Sequence, residues 1–409
     1  MKLRIGTPIW LSQPQRQTYA TLRGRHDTDV VIVGGGITGA AIAQAFAEAG
    51  VRVVLLEAGL VGRGSTAAST ALVLQETDEE LSALESRYGR AGAATIWELG
   101  RRSIRELVRT VRQRRIACGL ATRDTVYYTL DPVASTDLHA EYQCRRRAGF
   151  GARWLDPVAL QAATGIAGQG AIRSQGNVQL DPYRCCVGLL RIAASDGARI
   201  FERSAVRGID ASRTGVVVGT LDGRVTATHV VVATGYATPA FAPLAGRFAM
   251  KHTYVLATRP MTAAERRRLG LGALMLWDTE RPYHYARWGP DHRLLLGGND
   301  QPLLPRSRRK AAFASSTRRL HEYFTHLLPA LGDIEIETAW EGLFAMTPDG
   351  LPYIGPHRRY PRHLFALGYG GNGMTFGFLA SRLLLNACRD VEDPDLQLFS
   401  FNRFRATRR

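Results

Sequence analysis

Two glycine-rich turns hold the residues of this chain best suited to chemistry. The first is Gly34-x-Gly36-x-x-Gly39, which follows the apolar run Val30 to Val33 and precedes the small residues Ala40 to Ala49. At this spacing Gly34 permits a tight turn, Gly36 lets a pyrophosphate touch bare backbone, and Gly39 lets helix and strand pack closely. Ile37 and Thr38 open the helix, where unpaired N–H groups and the positive end of the helix dipole meet the phosphates. A second apolar run, Val51 to Leu56, delivers Glu57 and Ala58, and the Glu57 carboxylate is placed to accept hydrogen bonds from a ribose diol. This set spells a dinucleotide site. The second turn is Gly370-Gly371-Asn372-Gly373, between a strand at His363 to Leu367 and a helix at Met374 to Ala387. A glycine turn that opens a helix offers free N–H groups and a positive dipole end to negative charge on a bound group. A plain strand-to-helix join needs one glycine, so three around one Asn point to function.

Both turns require a sheet to carry them. The strand–helix–strand pattern at the first turn predicts a parallel α/β sheet. Arg224 to Val232 reads as a further strand that stops abruptly at Ala233-Thr234-Gly235. Lys251 to Thr258, Ala273 to Trp277, Pro282 to Trp288 and Arg293 to Gly297 alternate like an antiparallel sheet. Asp156-Pro157 and Asp181-Pro182 are helix starts, with a capping Asp and Pro at the first helical position. Glu76 to Gly119 has helical spacing, and its acids Glu76, Asp78, Glu79 and Glu80 read as a solvated helix start, since acids favour the first turn. Residues 1–28 form a polar arm with an isolated Trp10. No repeat or low-complexity linker divides the chain, so two domains are expected to interleave. Residues 29–125, 181–240 and 335–409 are assigned to the dinucleotide-binding domain, and 126–180 and 241–334 to the other.

The chain has 409 residues, 45% apolar and 22% charged, which suits a globular protein of two or three domains. Five cysteines without a CxxC pair argue against a disulfide framework and for a reducing, cytoplasmic setting. No apolar run is long enough to span a bilayer, and the first residues lack an export signal. No HxxH or Cys/His cluster points to a metal. The net charge of +17 reads as arginine spread over solvated faces, without a nucleic-acid motif.

The landmarks, in order, are Trp10-Leu11, the Gly34–Glu57 unit, Gly64-Ser65-Thr66-Ala67-Ala68-Ser69-Thr70, Asp181-Pro182 and Ala233-Thr234-Gly235. Then come Gly297-Gly298-Asn299-Asp300, Thr347-Pro348-Asp349-Gly350-Leu351-Pro352 and Gly370-Gly371-Asn372-Gly373-Met374. Over almost its whole length the chain resembles the FAD-dependent family that includes D-amino-acid oxidase, glycine oxidase and sarcosine oxidase, most nearly its gamma-glutamylputrescine oxidase-like branch. The resemblance implies an α/β fold: a glutathione-reductase-type FAD-binding Rossmann domain interleaved with a substrate domain whose mixed or antiparallel sheet roofs the isoalloxazine ring. It implies that Gly34, Gly36, Gly39 and Glu57 hold the diphosphate and adenosine ribose. Arg63, Gly64, Ser65 and Thr66 would line the ribityl and diphosphate path, and Val206 would offer backbone to adenine. Ala233, Thr234 and Gly235 would pass near the cofactor. Gly371, Asn372, Gly373, Met374 and Thr375 would face the pyrimidine end, where reduction leaves negative charge.

The implied reaction is oxidation of a C–N bond in a small amine or amino acid, by hydride transfer to flavin N5, with hydrolysis of the resulting imine. Oxygen, a quinone or a partner protein would take the electrons. A substrate carboxylate would want a bidentate guanidinium. Arg287 is the candidate, with Tyr285 as hydroxyl partner and Lys251 as a positive charge that helps oxygen reduction. Relatives with covalent flavin attach it through Cys or His. The segment Gly342 to Met346 has no Cys and the loop Gly64 to Thr70 has no His, so noncovalent FAD is expected. The alternatives are an NAD-dependent dehydrogenase, which explains only the first turn, and a non-catalytic flavin module that binds nucleic acid through its basic surface.

Overall fold

The structure, a computed structural model, describes residues 4–12 and 18–406. Its organising strand is Gly24–Val33, whose Val30, Val31 and Ile32 have no exposed surface. A continuous β-branched run of this kind suits a strand covered on both faces. Gly24–Val33 pairs in parallel with Val53–Leu56 on one side and with Gly223–Gly235 on the other. Gly223–Gly235 pairs in parallel with Tyr360–Leu367 in turn. The eight-stranded sheet is completed by Tyr353–His357 at one edge, Arg199–Phe201 at the other, and an antiparallel extension of Gly208–Ala211 and Val216–Gly219. Register matters here. Val33 lies opposite Val232, and Gly235 opposite Leu367, so three parallel strands end side by side and deliver both glycine turns and the Ala233-Thr234-Gly235 stop to one edge. The carboxyl ends of parallel strands are where open α/β sheets bind ligands.

The helix Ile37–Glu48 packs on this sheet against the helices Gly373–Cys388 and Pro182–Ser195. Its Gly39, Ala40, Ala43 and Ala47 are buried and small enough for that close approach. Asp181 caps Pro182–Ser195 by accepting from Arg184 N at 2.9 Å, and Asp156 caps Pro157–Thr164 by accepting from Ala159 N at 2.8 Å, as the sequence predicts.

A second, nine-stranded sheet runs in the order Ile336–Met346, Ala249–Thr258, Leu294–Pro302, Tyr285–Trp288, Met275–Asp278, Ala121–Thr129, Gly170–Gln179, Leu72–Val73, with Ala152–Leu155 beside Gly170–Gln179. It is mixed: Met275–Asp278 and Ala121–Thr129 are parallel and the other pairs antiparallel. The helix Arg306–Leu327 packs on Ala249–Thr258 and Leu294–Pro302.

Four boundaries move. The first strand begins at Gly24, so the arm ends before Thr28, and its Trp10 is buried with Nε1 donating to Ser69 O at 2.9 Å. Ile336–Met346, placed with the dinucleotide-binding residues by sequence, pairs with Ala249–Thr258 in the second sheet. Ala121–Thr129 likewise lies wholly in that sheet. Alternation marks a strand but not its partner, and pairing here is decided across the chain. The long helix starts at Leu81, so the acids Glu76 to Glu80 precede it rather than forming its first turn.

Candidate active site

A cavity of ≈ 430 Å³ lies between the two sheets at the ends of the three parallel strands. At its nucleotide end Gly34 has φ +114°, and a Cβ there would sit 2.5 Å from Ala233 O. Only glycine takes that turn. Gly36 borders the cavity with a Cβ position 3.2 Å from Thr66 Oγ1, and that hydroxyl accepts from Ile37 N at 2.9 Å. Gly39 does not line the cavity. Its Cβ would fall 1.9 Å from Gly34 O, so it sets helix-to-strand contact. The Glu57 carboxylate is fixed by Gly35 N and Gly59 N, each donating at 2.8 Å. A carboxylate has about four acceptor positions, so two remain for a diol. Ile37, Thr38, Ala58, Gly64, Ser65, Thr66, Val206, Ala233, Thr234 and Gly235 all border the same space. Bare glycine backbone, a helix start and a half-used carboxylate in one groove fit a dinucleotide.

At the other end Gly371, Asn372, Gly373 and Met374 border the cavity, and a residue that the sequence reading set aside holds them. Asp78 accepts from Gly371 N through Oδ2 at 2.7 Å and from Asn372 Nδ2 through Oδ1 at 3.1 Å. Gly370 has room for no side chain, since a Cβ would meet Asp78 Oδ2 at 2.0 Å. Asp78 is therefore a cavity residue, not part of a solvated helix start. Desolvation pushes its carboxyl up to about 7, the Gly371 N–H pulls the other way, and the Asp300 charge pushes further up. The usable signal was its place: Thr77-Asp78 falls outside the apolar spacing that begins at Leu81 and Leu84.

Asp300, Thr253, Trp277, Tyr283 and Tyr285 complete this end from the second sheet. Tyr285 OH and Thr253 Oγ1 are 3.1 Å apart, and Tyr285 packs so closely on its neighbouring strand that a Cβ on Gly297 would lie 2.1 Å from its ring. Desolvation also raises the Asp300 carboxyl, to about 6, against the Thr253 hydroxyl.

Besides Gly39, four predicted residues stand outside the cavity lining. Arg287 is buried and donates to three backbone carbonyls: Thr70 O through Nε, Trp288 O at 3.0 Å and Leu180 O at 2.7 Å. Its guanidinium also sits 5.2 Å from the Trp10 ring centroid, and burial lowers its pKa to about 9. Those carbonyls occupy the fork that a substrate carboxylate would need. Lys251 does not border the cavity and acts on Asp300 through its charge. Arg63 does not border the cavity, and its positive charge acts on the Tyr183 hydroxyl. Thr375 does not border the cavity, and its hydroxyl donates to Leu74 O at 2.7 Å, fixing a residue that does. Among the described residues, no Arg, Lys or His lines the space.

Comparison with known proteins agrees with this geometry. Glycine oxidase of Geobacillus kaustophilus (strain HTA426) is 27% identical over 385 residues, which cover 92% of this chain and 97% of that protein. Gamma-glutamylputrescine oxidoreductase of Escherichia coli (strain K12) is also 27% identical over 385 residues, covering 92% and 87%. The crystal structure of L-proline dehydrogenase from P. horikoshii superposes with a TM-score of 0.78 at 18% identity, over 94% of this chain and 99% of that one. The family model described as DAO, FAD dependent oxidoreductase, matches residues 29–387. With that match spanning both glycine turns and both sheets, the chain belongs to the DAO family and is an FAD-dependent oxidoreductase.

Proposed function

We propose that this protein oxidises the C–N bond of a small amine or amino acid in the cavity between its two sheets, with FAD held noncovalently. The observation that carries the reading is the convergence of Gly34, Gly235 and Gly371 on one space whose far wall is Trp277, Tyr283, Tyr285 and Asp300. The names of its relatives, glycine oxidase and gamma-glutamylputrescine oxidoreductase, support the substrate class. Family membership sets aside the nicotinamide alternative.

When bound, FAD supplies the two-electron oxidant. Gly34, Gly36, Ile37 and Thr38 would hold its diphosphate, Glu57 and Ala58 a ribose, and Val206 the adenine. Ala233, Thr234 and Gly235 form the groove floor, and Gly371 to Met374 present the late helix start to the ring. Asp78 holds that late turn in place through Gly371 and Asn372. The aromatic walls exclude water from the substrate position and fix its orientation, which is most of what a neutral amine requires of a protein. The free cysteines support a reducing, cytoplasmic setting.

Two measurements test the reading. Acid precipitation should release a yellow cofactor into the supernatant, and flavin retained in the pellet contradicts noncovalent binding. Anaerobic mixing with a panel of amines and amino acids should bleach the flavin band with at least one of them. The rate of recolouring in air then distinguishes oxygen from a quinone or partner protein as acceptor. A yellow protein that no member bleaches contradicts the reading.

A further inference from the structure

The substrate end of the cavity is acidic and aromatic, and its acid is placed by a break in the second sheet. Pairing between Ala249–Thr258 and Leu294–Pro302 shifts between His252 and Tyr254, so two residues, Asn299 and Asp300, stand opposite Thr253. Gly298 and Asn299 both have positive φ there, +138° and +56°. An extra residue of this kind bends a strand and re-aims its side chains. Asn299 goes to the outer face, where Nδ2 donates to Ser316 O at 3.1 Å, and Asp300 goes to the cavity. The result is an unusual carboxylate. Asp300 Oδ1 is buried with no hydrogen-bond partner; the carboxyl group is acted on by the Thr253 hydroxyl and by the charges of Lys251 and His284, and among the described residues it makes no close ion pair. Asp78, by contrast, already spends both oxygens on the late turn.

Around Asp300 stand Tyr283 and Tyr285, with ring centroids 5.9 Å apart, and Trp277, 6.4 Å from Tyr283. Aromatic faces attract ammonium groups, and a buried acceptor without a donor is left unsatisfied until a ligand supplies one. A carboxylate entering this chamber would meet two acids in its lining and, among the described residues, no basic side chain there; Arg287 is held by backbone carbonyls, and Lys251, His284 and Arg281, whose charges act on Asp300 or Asp78, do not line it.

We propose that this chamber takes up an alkylamine without an α-carboxylate as its cation, and that Asp300 Oδ1 accepts its N–H groups and then one of its protons, leaving the neutral amine that is oxidised. The proposal rests on the amine-oxidising reading above and narrows it. It makes Asp300 the residue that sets specificity.

The test uses flavin-loaded protein and two probes that share a tert-butyl group. tert-Butylamine carries no hydrogen on the carbon bearing nitrogen and cannot be oxidised to an imine, and pivalate replaces its ammonium with a carboxylate. Binding is followed by calorimetry and by the shift of the visible flavin spectrum. The expected result is that tert-butylamine binds at least about tenfold more tightly than pivalate. Asp300→Asn should weaken the amine by about tenfold or more at unchanged flavin content, and Asp300→Glu should recover part of the loss. The probe comparison needs no variant, so it stands even if a substitution fails to fold. Yellow protein that prefers pivalate, or Asp300→Asn protein that binds tert-butylamine as tightly as the parent, overturns this inference alone. Protein that purifies without flavin overturns the functional reading and this inference with it.

Discussion

Asp78 carries a carboxylate across the mouth of the late glycine turn, and its titration should be visible in stability. Its pKa rises from an ordinary 3.8 to about 7, and that of Asp300 from 3.8 to about 6, both chiefly through desolvation. A raised acid binds a proton in the folded state that the unfolded chain has already released. Between about pH 4 and pH 7 these two groups hold more protons in the folded state, and their contribution to stability falls as pH rises through that window. His229, His252, His357 and His363, held below the ordinary imidazole range by burial, act in the opposite direction, so the Asp78 share is read from a variant. Between pH 5.5 and pH 8 cofactor-free Asp78→Asn should lose less melting temperature, or gain more, than the parent, and an unchanged pH profile in that variant would contradict the assignment. Arg287 makes a different prediction. Its three carbonyl partners would be left bare in Arg287→Met, at a cost of about 3 kcal/mol or more in a urea titration. KM for the amine should stay within about twofold, because the residue does not reach the substrate. Loss of affinity with stability intact would restore it as a substrate clamp. Neither residue's role was legible in the sequence. Arg287 follows Tyr285 at strand spacing and so looked cavity-facing, but spacing does not say which carbonyls wait on that face. Asp78 lies almost three hundred positions from its partners Gly371 and Asn372, and nothing local reveals that meeting.

The strand–turn–helix unit was legible for the opposite reason. Each glycine in Gly34-x-Gly36-x-x-Gly39 answers a constraint set by its own neighbours, so residue type and spacing carry the whole message. Gly39→Ala tests this. Its Cβ would fall 1.9 Å from Gly34 O, a backbone atom that cannot move aside without lifting Ile37–Glu48 from its strand. The variant should purify with little or no flavin, read from the ratio of visible to ultraviolet absorbance. Gly151→Ala is the control, because nothing stands within 4 Å of its added Cβ. Full flavin in Gly39→Ala would mean that the turn does not carry the cofactor. The second sheet was legible as strands and as alternation. The resemblance also implied its mixed or antiparallel character, but which two strands run parallel and the ownership of Ile336–Met346 were not legible, because these depend on partners far along the chain.

Two sheets with one cavity between them leave the charge of the protein in an odd relation to its site. The chain carries +17 overall, yet the cavity presents Asp78 and Asp300 and, among the described residues, no basic side chain. Long-range and short-range electrostatics then oppose each other for a cationic substrate. The surface field repels it on approach, while contact with a carboxylate in a water-poor chamber dominates once it enters. Salt screens the first effect far more than the second. For a cationic amine, kcat/KM should therefore rise about two- to threefold between roughly 0.02 and 0.2 M ionic strength. A fall over that range would mean that the surface charge gathers the substrate instead.

The early and the late glycine turn are proposed to hold opposite ends of one FAD, and a crystal structure of the yellow protein tests this. The expected result is a single flavin that runs between the sheets, with a ribose on Glu57 and the ring system against Gly371 to Met374, and with Tyr283, Tyr285 and Asp300 facing the ring's open side. A flavin that touches only one of the two turns, or that lies outside this cavity, would contradict it.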